Sequence, residues 1–253
     1  MMLTRRGAAR GIALAPILLA GSARAGESSA TNVIVYCDPA PRRTMEGVGR
    51  VFTAQTGARV NVFCAAPWMM LAQIEHISQN DVLISGTAAL DEAAERKLIK
   101  AESRIPLGHD RLVLAARIGA ASTPRTGNDA IRALIGVGPL AVPDATSLTT
   151  IDAAGALAGI GLSPPYDFRT QGAADEADVA FLVASGAASL GLLYRTAARA
   201  DPRLTEAAVL PDGATGDYEA AISVITRRPN ATWFMDFLRT KEARARLSAA
   251  GLA

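Results

Sequence analysis

Two cysteines, Cys37 and Cys64, each end a short apolar run rich in β-branched residues, and each is followed by a turn containing proline. If these runs form neighbouring parallel strands, the two sulfurs lie close together. Such a pair can form a disulfide pinning two loops, or remain as buried thiols that behave as small hydrophobes. It can also hold a soft metal as thiolates, with help from Met45, Met69 or Met70. The separation of the cysteines is not the short spacing of a zinc motif. Asp38 adjoins the first cysteine and precedes Pro39. A turn-forming role and a role as ligand to a cation or an amine are both open for it. Trp68, beside Pro67, either packs into a core or offers a flat apolar wall to an organic ligand. Arg42 and Arg43 open a helical segment, where solvent exposure competes with pairing to an anion.

The two histidines offer less. His76 sits on a polar helix face, and His109 lies in a Gly108–Arg111 stretch where the chain is expected to cross between lobes. The sequence carries no nucleophile-elbow pattern, no paired-histidine zinc motif, no Walker loop, and no dinucleotide fingerprint after a strand. The residues therefore point to binding rather than to catalysis, with no cofactor required.

The elements that must position these residues follow from periodicity. Asn32–Tyr36 reads as a strand. Met45, Val48, Val51 and Phe52 recur at helical spacing over Arg42–Thr56, and Gly57 ends the pattern. Strands are expected at Arg59–Phe63 and Asp81–Ser85, with helices through Ile77 and over Asp91–Lys100. The alternation restarts after an Arg111–Ala116 strand: helix Asn128–Gly136, strand Pro139–Pro143, helix Thr150–Gly159, helix Glu176–Ser185, strand Ala188–Tyr194. A strand at Ala221–Ile225 and one or two helices over Ala231–Ala249 close the chain. Alternating strands and helices make a parallel sheet with crossover helices. We therefore expect an α/β chain of two doubly wound lobes: 26–112 plus 219–253 forming lobe I, and 113–218 forming lobe II. In such sheets ligands sit beyond the carboxyl ends of strands, at helix N-termini. Loops 37–42, 64–68 and 85–91 meet that description.

The first 25 residues stand apart. Arg5, Arg6 and Arg10 precede an apolar run from Gly11 to Gly21, and Ala23–Ala25 gives a small-x-small cleavage pattern. This reads as a cleavable signal peptide for export to the periplasm, with twin-arginine export an option. That segment holds four of the 26 basic residues and none of the 24 acidic ones, so the remainder carries a net charge of −2. No basic stripe remains, which argues against a nucleic-acid partner.

Several segments together carry a resemblance. Val33–Tyr36 with Met45–Gly57, Ala72–Glu75 with Asn80–Ser85, Val183–Gly186 with Gly191–Tyr194, and Asn230–Leu238 with Glu242 and Ala243 are similar, in matching order, to the periplasmic molybdate-binding proteins of ABC-type importers. The resemblance implies the two-lobed type II periplasmic-binding-protein fold. It also implies a small-molecule or ion ligand, a membrane permease as partner, and a monomer.

The same resemblance places the ligand site. The family holds a tetrahedral dianion with serine hydroxyls and backbone N–H groups at the starts of the first two helices, and a second-lobe tyrosine completes it. The first serine falls at Ala40, the second at Ala66 or Pro67, and the tyrosine at Tyr194. Further contacts fall at about Glu176 and Leu148. Both hydroxyl donors are thus missing, each worth about 1–3 kcal/mol to a charged ligand. Pro39, Pro41 and Pro67 lack N–H groups in the donor loops. Asp38 and Glu176 would bring negative charge towards a dianion. The expectation is a binding protein whose oxyanion site has changed, and the alternative is a periplasmic soft-metal or thiol-handling protein using Cys37 and Cys64.

Overall fold

The computed structural model describes residues 32–77, 79–120, 124–143, 148–163, 168–211 and 215–252. The expected signal peptide, residues 1–25, lies outside the described residues.

The chain begins with the expected alternation. Strand β1 (Asn32–Cys37) leads to α1 (Arg42–Thr56), β2 (Arg59–Cys64), α2 (Pro67–Ile77), β3 (Val82–Gly86) and α3 (Thr87–Glu95). Strand β1 pairs in parallel with β2 on one side and β3 on the other. Gly57 ends α1 in the left-handed conformation (φ 76°) that glycine adopts without steric cost. Helix α3 starts directly after β3, several residues before the expected Asp91. Its N-terminal turn (Ala89, Leu90) is buried, and the chain turns back at Lys97 (φ 56°), so that Leu98 N–H reaches Ala93 O.

Strand β4 (Ile105–Arg117) is twice the expected length and joins the two halves. Its first part, Ile105–Arg111, pairs antiparallel with β9 (Thr215–Ile222), which in turn pairs with β3. From Leu112 onward it pairs instead with β7 (Leu190–Tyr194) and β8 (Leu204–Val209). Burial follows the pairing: the first part alternates, and Leu112–Ala116 is continuously buried. That is the pattern of a strand covered on both faces.

The second half contains α4 (Asn128–Ile135), β5 (Leu140–Pro143), α5 (Leu148–Gly159), β6 (Thr170–Ala173), α6 (Glu176–Ser185) and α7 (Arg195–Ala200). Strand β5 runs parallel to both β6 and β7. Helices α8 (Pro229–Leu238) and α9 (Lys241–Ala250) return to the first half. The strand order is β2-β1-β3-β9-β4-β7-β5-β6, with β8 against β4. Each half buries apolar side chains on both sheet faces. Val33, Val35, Phe52 and Phe234 share one cluster of the first half, and Tyr36, Leu71, Ile74 and Leu83 the other. In the second half Leu114, Ile131, Leu157 and Leu192 lie on one face, and Val113, Val179, Val183 and Leu193 on the other.

Helix α6 approaches β7 closely because Gly191 has no side chain. A Cβ there would stand 2.6 Å from Val179 Cγ1 and 2.8 Å from Val183 Cγ2. Gly191→Val is therefore expected to destabilise the protein by about 1–3 kcal/mol through overpacking. Urea unfolding checks this, and an unchanged midpoint contradicts the close packing.

Candidate functional site

The carboxyl ends of β1 and β2 and the N-terminus of α6 converge on a cleft of about 380 Å³. Asp38, Pro39, Ala40 and Arg42 come from the first loop, and Cys64–Met69 from the second. Ala174–Ala177 come from the second half, and Tyr218 from β9. The arrangement follows from parallel β1 and β2, which must deliver both following loops to the same end of the sheet.

Asp38 is anchored before it can act. Its N–H donates to Ile84 O at 3.1 Å, Ser85 Oγ donates to its Oδ1 at 2.7 Å, and Gly86 N–H donates to its Oδ2 at 3.1 Å. The carboxyl thus ties the exit of β1 to the β3–α3 junction, and the residue is 1 % exposed. Burial raises its pKa to about 7, against the two hydrogen bonds that favour the charged form, and the charge of Glu176 raises it further. Glu176 is itself buried, at the first position of α6. Asp175 caps that helix, accepting from Ala177 N–H at 2.8 Å and Asp178 N–H at 2.9 Å. Two of the N–H groups that could face an anion there are thus occupied by the chain's own carboxylate. Arg42 is the one cation among the described lining residues, and its Nε donates to Glu46 Oε1 at 3.0 Å along α1.

Cys37 and Cys64 are direct register partners on β1 and β2, and both are free thiols. Cys37 is fully buried, while Cys64 is half-buried on the cleft wall. Burial pushes the Cys37 thiol upward, and its hydrogen bond to Cys64 adds to this. Among the described residues, no group of three or more His, Cys, Asp and Glu side chains stands close enough to hold a metal ion. Ala40 and Ala66 line the cleft and present methyl groups, and Pro67 presents no N–H. Trp68 lines it with 59 % of its surface exposed, beside exposed Met69.

Tyr194 is wholly buried and does not border the cleft. Its ring meets the Tyr218 ring edge-on, with centroids 5.9 Å apart, and its hydroxyl occupies the space a Cβ on Gly216 would need. Leu148, also placed near the ligand by the resemblance, begins α5. The tyrosine that lines the cleft is Tyr218, 1 % exposed, whose hydroxyl has no hydrogen-bond partner among the described residues. Its signal in the sequence was slight: an aromatic after Gly216 and Asp217, at the start of an apolar run. His109 bonds through Nδ1 to the Asp217 carboxyl on the exposed faces of β4 and β9, away from the cleft.

On the far side, a second hollow of about 340 Å³ shares Pro39, Ala40, Arg42, Glu176 and Ala177 with the first. There Arg43 Nη1 donates to Ala200 O at 2.8 Å, tying α1 to α7.

Two α/β halves linked by long shared strands, with a ligand-sized cleft between the strand ends, define a two-lobed binding protein. The family of bacterial extracellular solute-binding proteins matches this chain over residues 33–253, and the chain belongs to it. No curated protein matches in sequence. Among solved structures, the periplasmic molybdate-binding protein of Azotobacter vinelandii is similar at 20 % identity, with a TM-score of 0.74 over 87 % of this chain and 98 % of that one. A tungstate ABC transporter structure from Geobacter sulfurreducens is similar at 13 % identity and TM-score 0.64, covering 86 % and 98 %. Iron-bound HitA from Pseudomonas aeruginosa is similar at 15 % and 0.59, covering 87 % and 84 %. These likenesses share the fold across proteins named for different ligands.

Proposed function

We propose that this chain is the periplasmic receptor of an ABC-type importer, binding a small solute between its lobes and presenting it to a membrane permease. Residues 1–25 act as the export signal. The lobes are 26–112 plus 219–253 and 113–218, and hinge motion about β4 and β9 closes them. The exchange of β4 pairing partners between Arg111 and Leu112 supports that division. The protein works as a monomer and as a carrier, without catalysis.

The solute differs from molybdate and tungstate. The observation that carries this reading is the buried Asp38 carboxyl at the cleft, with Glu176 opposite and alanines where hydroxyl donors would stand. Two like charges about 4 Å apart repel by about 4 kcal/mol at an effective dielectric constant of about 20. A dianion would meet that repulsion, or the cost of protonating Asp38, without hydroxyl donors to offset it.

Isothermal titration of the exported chain with molybdate and with tungstate near neutral pH is expected to give no sub-micromolar binding. A sub-micromolar dissociation constant for either would overturn the reading. A soft-metal or thiol-handling role has the contact between Cys37 and Cys64 as its support, and no third ligand among the described residues joins them.

A further inference from the structure

The cleft presents acceptors where an anion site would present donors. Asp38 and Glu176 line it from opposite halves, and Asp175 already occupies two of the α6 amides. Tyr218 is the independent sign of a missing ligand. Tyr218 lines the cleft, and its buried hydroxyl has no hydrogen-bond partner among the described residues. A buried polar group left unpaired costs about 1–3 kcal/mol, so such a group in a cleft is one that a ligand completes. The walls are apolar: Trp68, Met69, Pro67 and Ala66 on one side, Ala40 and Ala177 on another. The volume of about 380 Å³ lies at the small end of ligand pockets.

We infer that the cleft takes a small organic molecule by a primary ammonium group, whose N–H donors go to Asp38, Glu176 and the Tyr218 hydroxyl while its carbon skeleton lies against Trp68 and Met69. An ammonium carries three donors and no acceptor, which matches three acceptor-bearing residues that line one cleft. A bare metal ion is the poorer fit, because the walls supply carbon and no metal-ligand cluster exists among the described residues. The inference rests on the reading of the cleft as the solute site.

Charge linkage gives it a signature. Asp38 faces Glu176 from α6, Tyr218 from β9 and Cys37 on its own strand, with Ser85 and Gly86 as donors and Arg42 at the rim. A cation beside it favours the carboxylate, so binding near neutral pH releases protons and affinity rises with pH. An anion would do the opposite.

The test is calorimetric titration of the exported chain with putrescine, ethanolamine and L-lysine, with choline as a cation lacking N–H donors. It is run at neutral pH in two buffers of different ionisation heat. At least one primary amine is expected to bind with micromolar or tighter affinity and net proton release, and choline at least tenfold more weakly. Asp38→Asn should weaken amine binding at least tenfold. Tyr218→Phe keeps the ring against Tyr194, so thermal stability should hold or rise while affinity falls about fivefold.

Silence of all three amines, proton uptake, equal choline binding, or amine affinity unchanged in both variants would each overturn the inference. The receptor reading fails separately, since it would survive amine silence if another solute bound in the cleft.

Discussion

Stability is expected to rise as the pH falls from about 8 to about 5. Asp38 and Asp110 are both buried carboxyls whose pKa values stand at about 7, against an ordinary 3.8. Asp110 accepts from Thr196 N–H at 3.3 Å and from its hydroxyl, and the charge of Arg195 helps it, yet burial outweighs these contacts. Each group holds its proton more tightly folded than unfolded. Folding therefore takes up protons between about pH 4 and pH 7, and stability falls as pH rises through that window. Three units at 1.36 kcal/mol per unit set a ceiling of about 4 kcal/mol for each group.

Asp201 works in the opposite direction. Arg203 hydrogen-bonds its carboxylate and lowers its pKa, so its contribution is lost only below the ordinary carboxylate range. On these three groups maximum stability should therefore fall near pH 4. Urea unfolding at pH steps from 5 to 8 measures the fall above that maximum. Asp38→Asn and Asp110→Asn should each flatten part of the slope. A midpoint that rises with pH would mean that neither carboxyl holds its proton in the fold.

Phe234→Ala is expected to cost about 3–5 kcal/mol, and Trp233→Ala no more than about 0.5 kcal/mol. The two are neighbours on α8 but face opposite ways. Phe234 is fully buried and meets the Phe52 ring edge-on at 5.3 Å, while Phe237 lies tilted to Phe52 at 5.5 Å. Trp233 is 55 % exposed. Phe52 belongs to α1, so the cluster fixes the returning C-terminal helix to the first helix of the chain. Removing Phe234 leaves a cavity between elements that have little else to replace it. Urea unfolding of both variants checks the contrast, and comparable losses would contradict the stated orientation of α8.

The resulting protein has two packed halves and a cleft lined by a residue with an unpaired hydroxyl. Apolar residues close both sheet faces in each half. A buried acid and an unpaired hydroxyl lie together where loops 38–42, 64–69 and 174–177 meet Tyr218. Binding sites commonly carry such uncompensated groups, because a ligand supplies what the fold leaves open.

Much of the architecture is legible in the sequence. Helix Arg42–Thr56 appears with the bounds that its periodicity implies, since four apolar positions on one face have one place to be buried. Helix Glu176–Ser185 is equally direct. Strand β6 and helix α7 are not legible: Thr170–Ala173 is a polar edge strand, and Arg195–Ala200 is too short to show a period. Strand β8 is hidden because Leu204–Val209 holds two alanines and a glutamate that packing against β4, not composition, makes extended.

The site divides in the same way. The sequence by itself determined the loops, the alanines Ala40 and Ala66, and the acidic residues Asp38 and Glu176, because these are matters of residue type at the ends of periodic segments. Tertiary structure alone decided that Cys37 and Cys64 lie in register as free thiols, that Asp38 is buried beneath Ser85 and Gly86, and that Tyr218 borders the cleft with Tyr194 behind it. Those facts depend on which distant segments cover a side chain, and desolvation and hydrogen-bond satisfaction are set only when those segments meet.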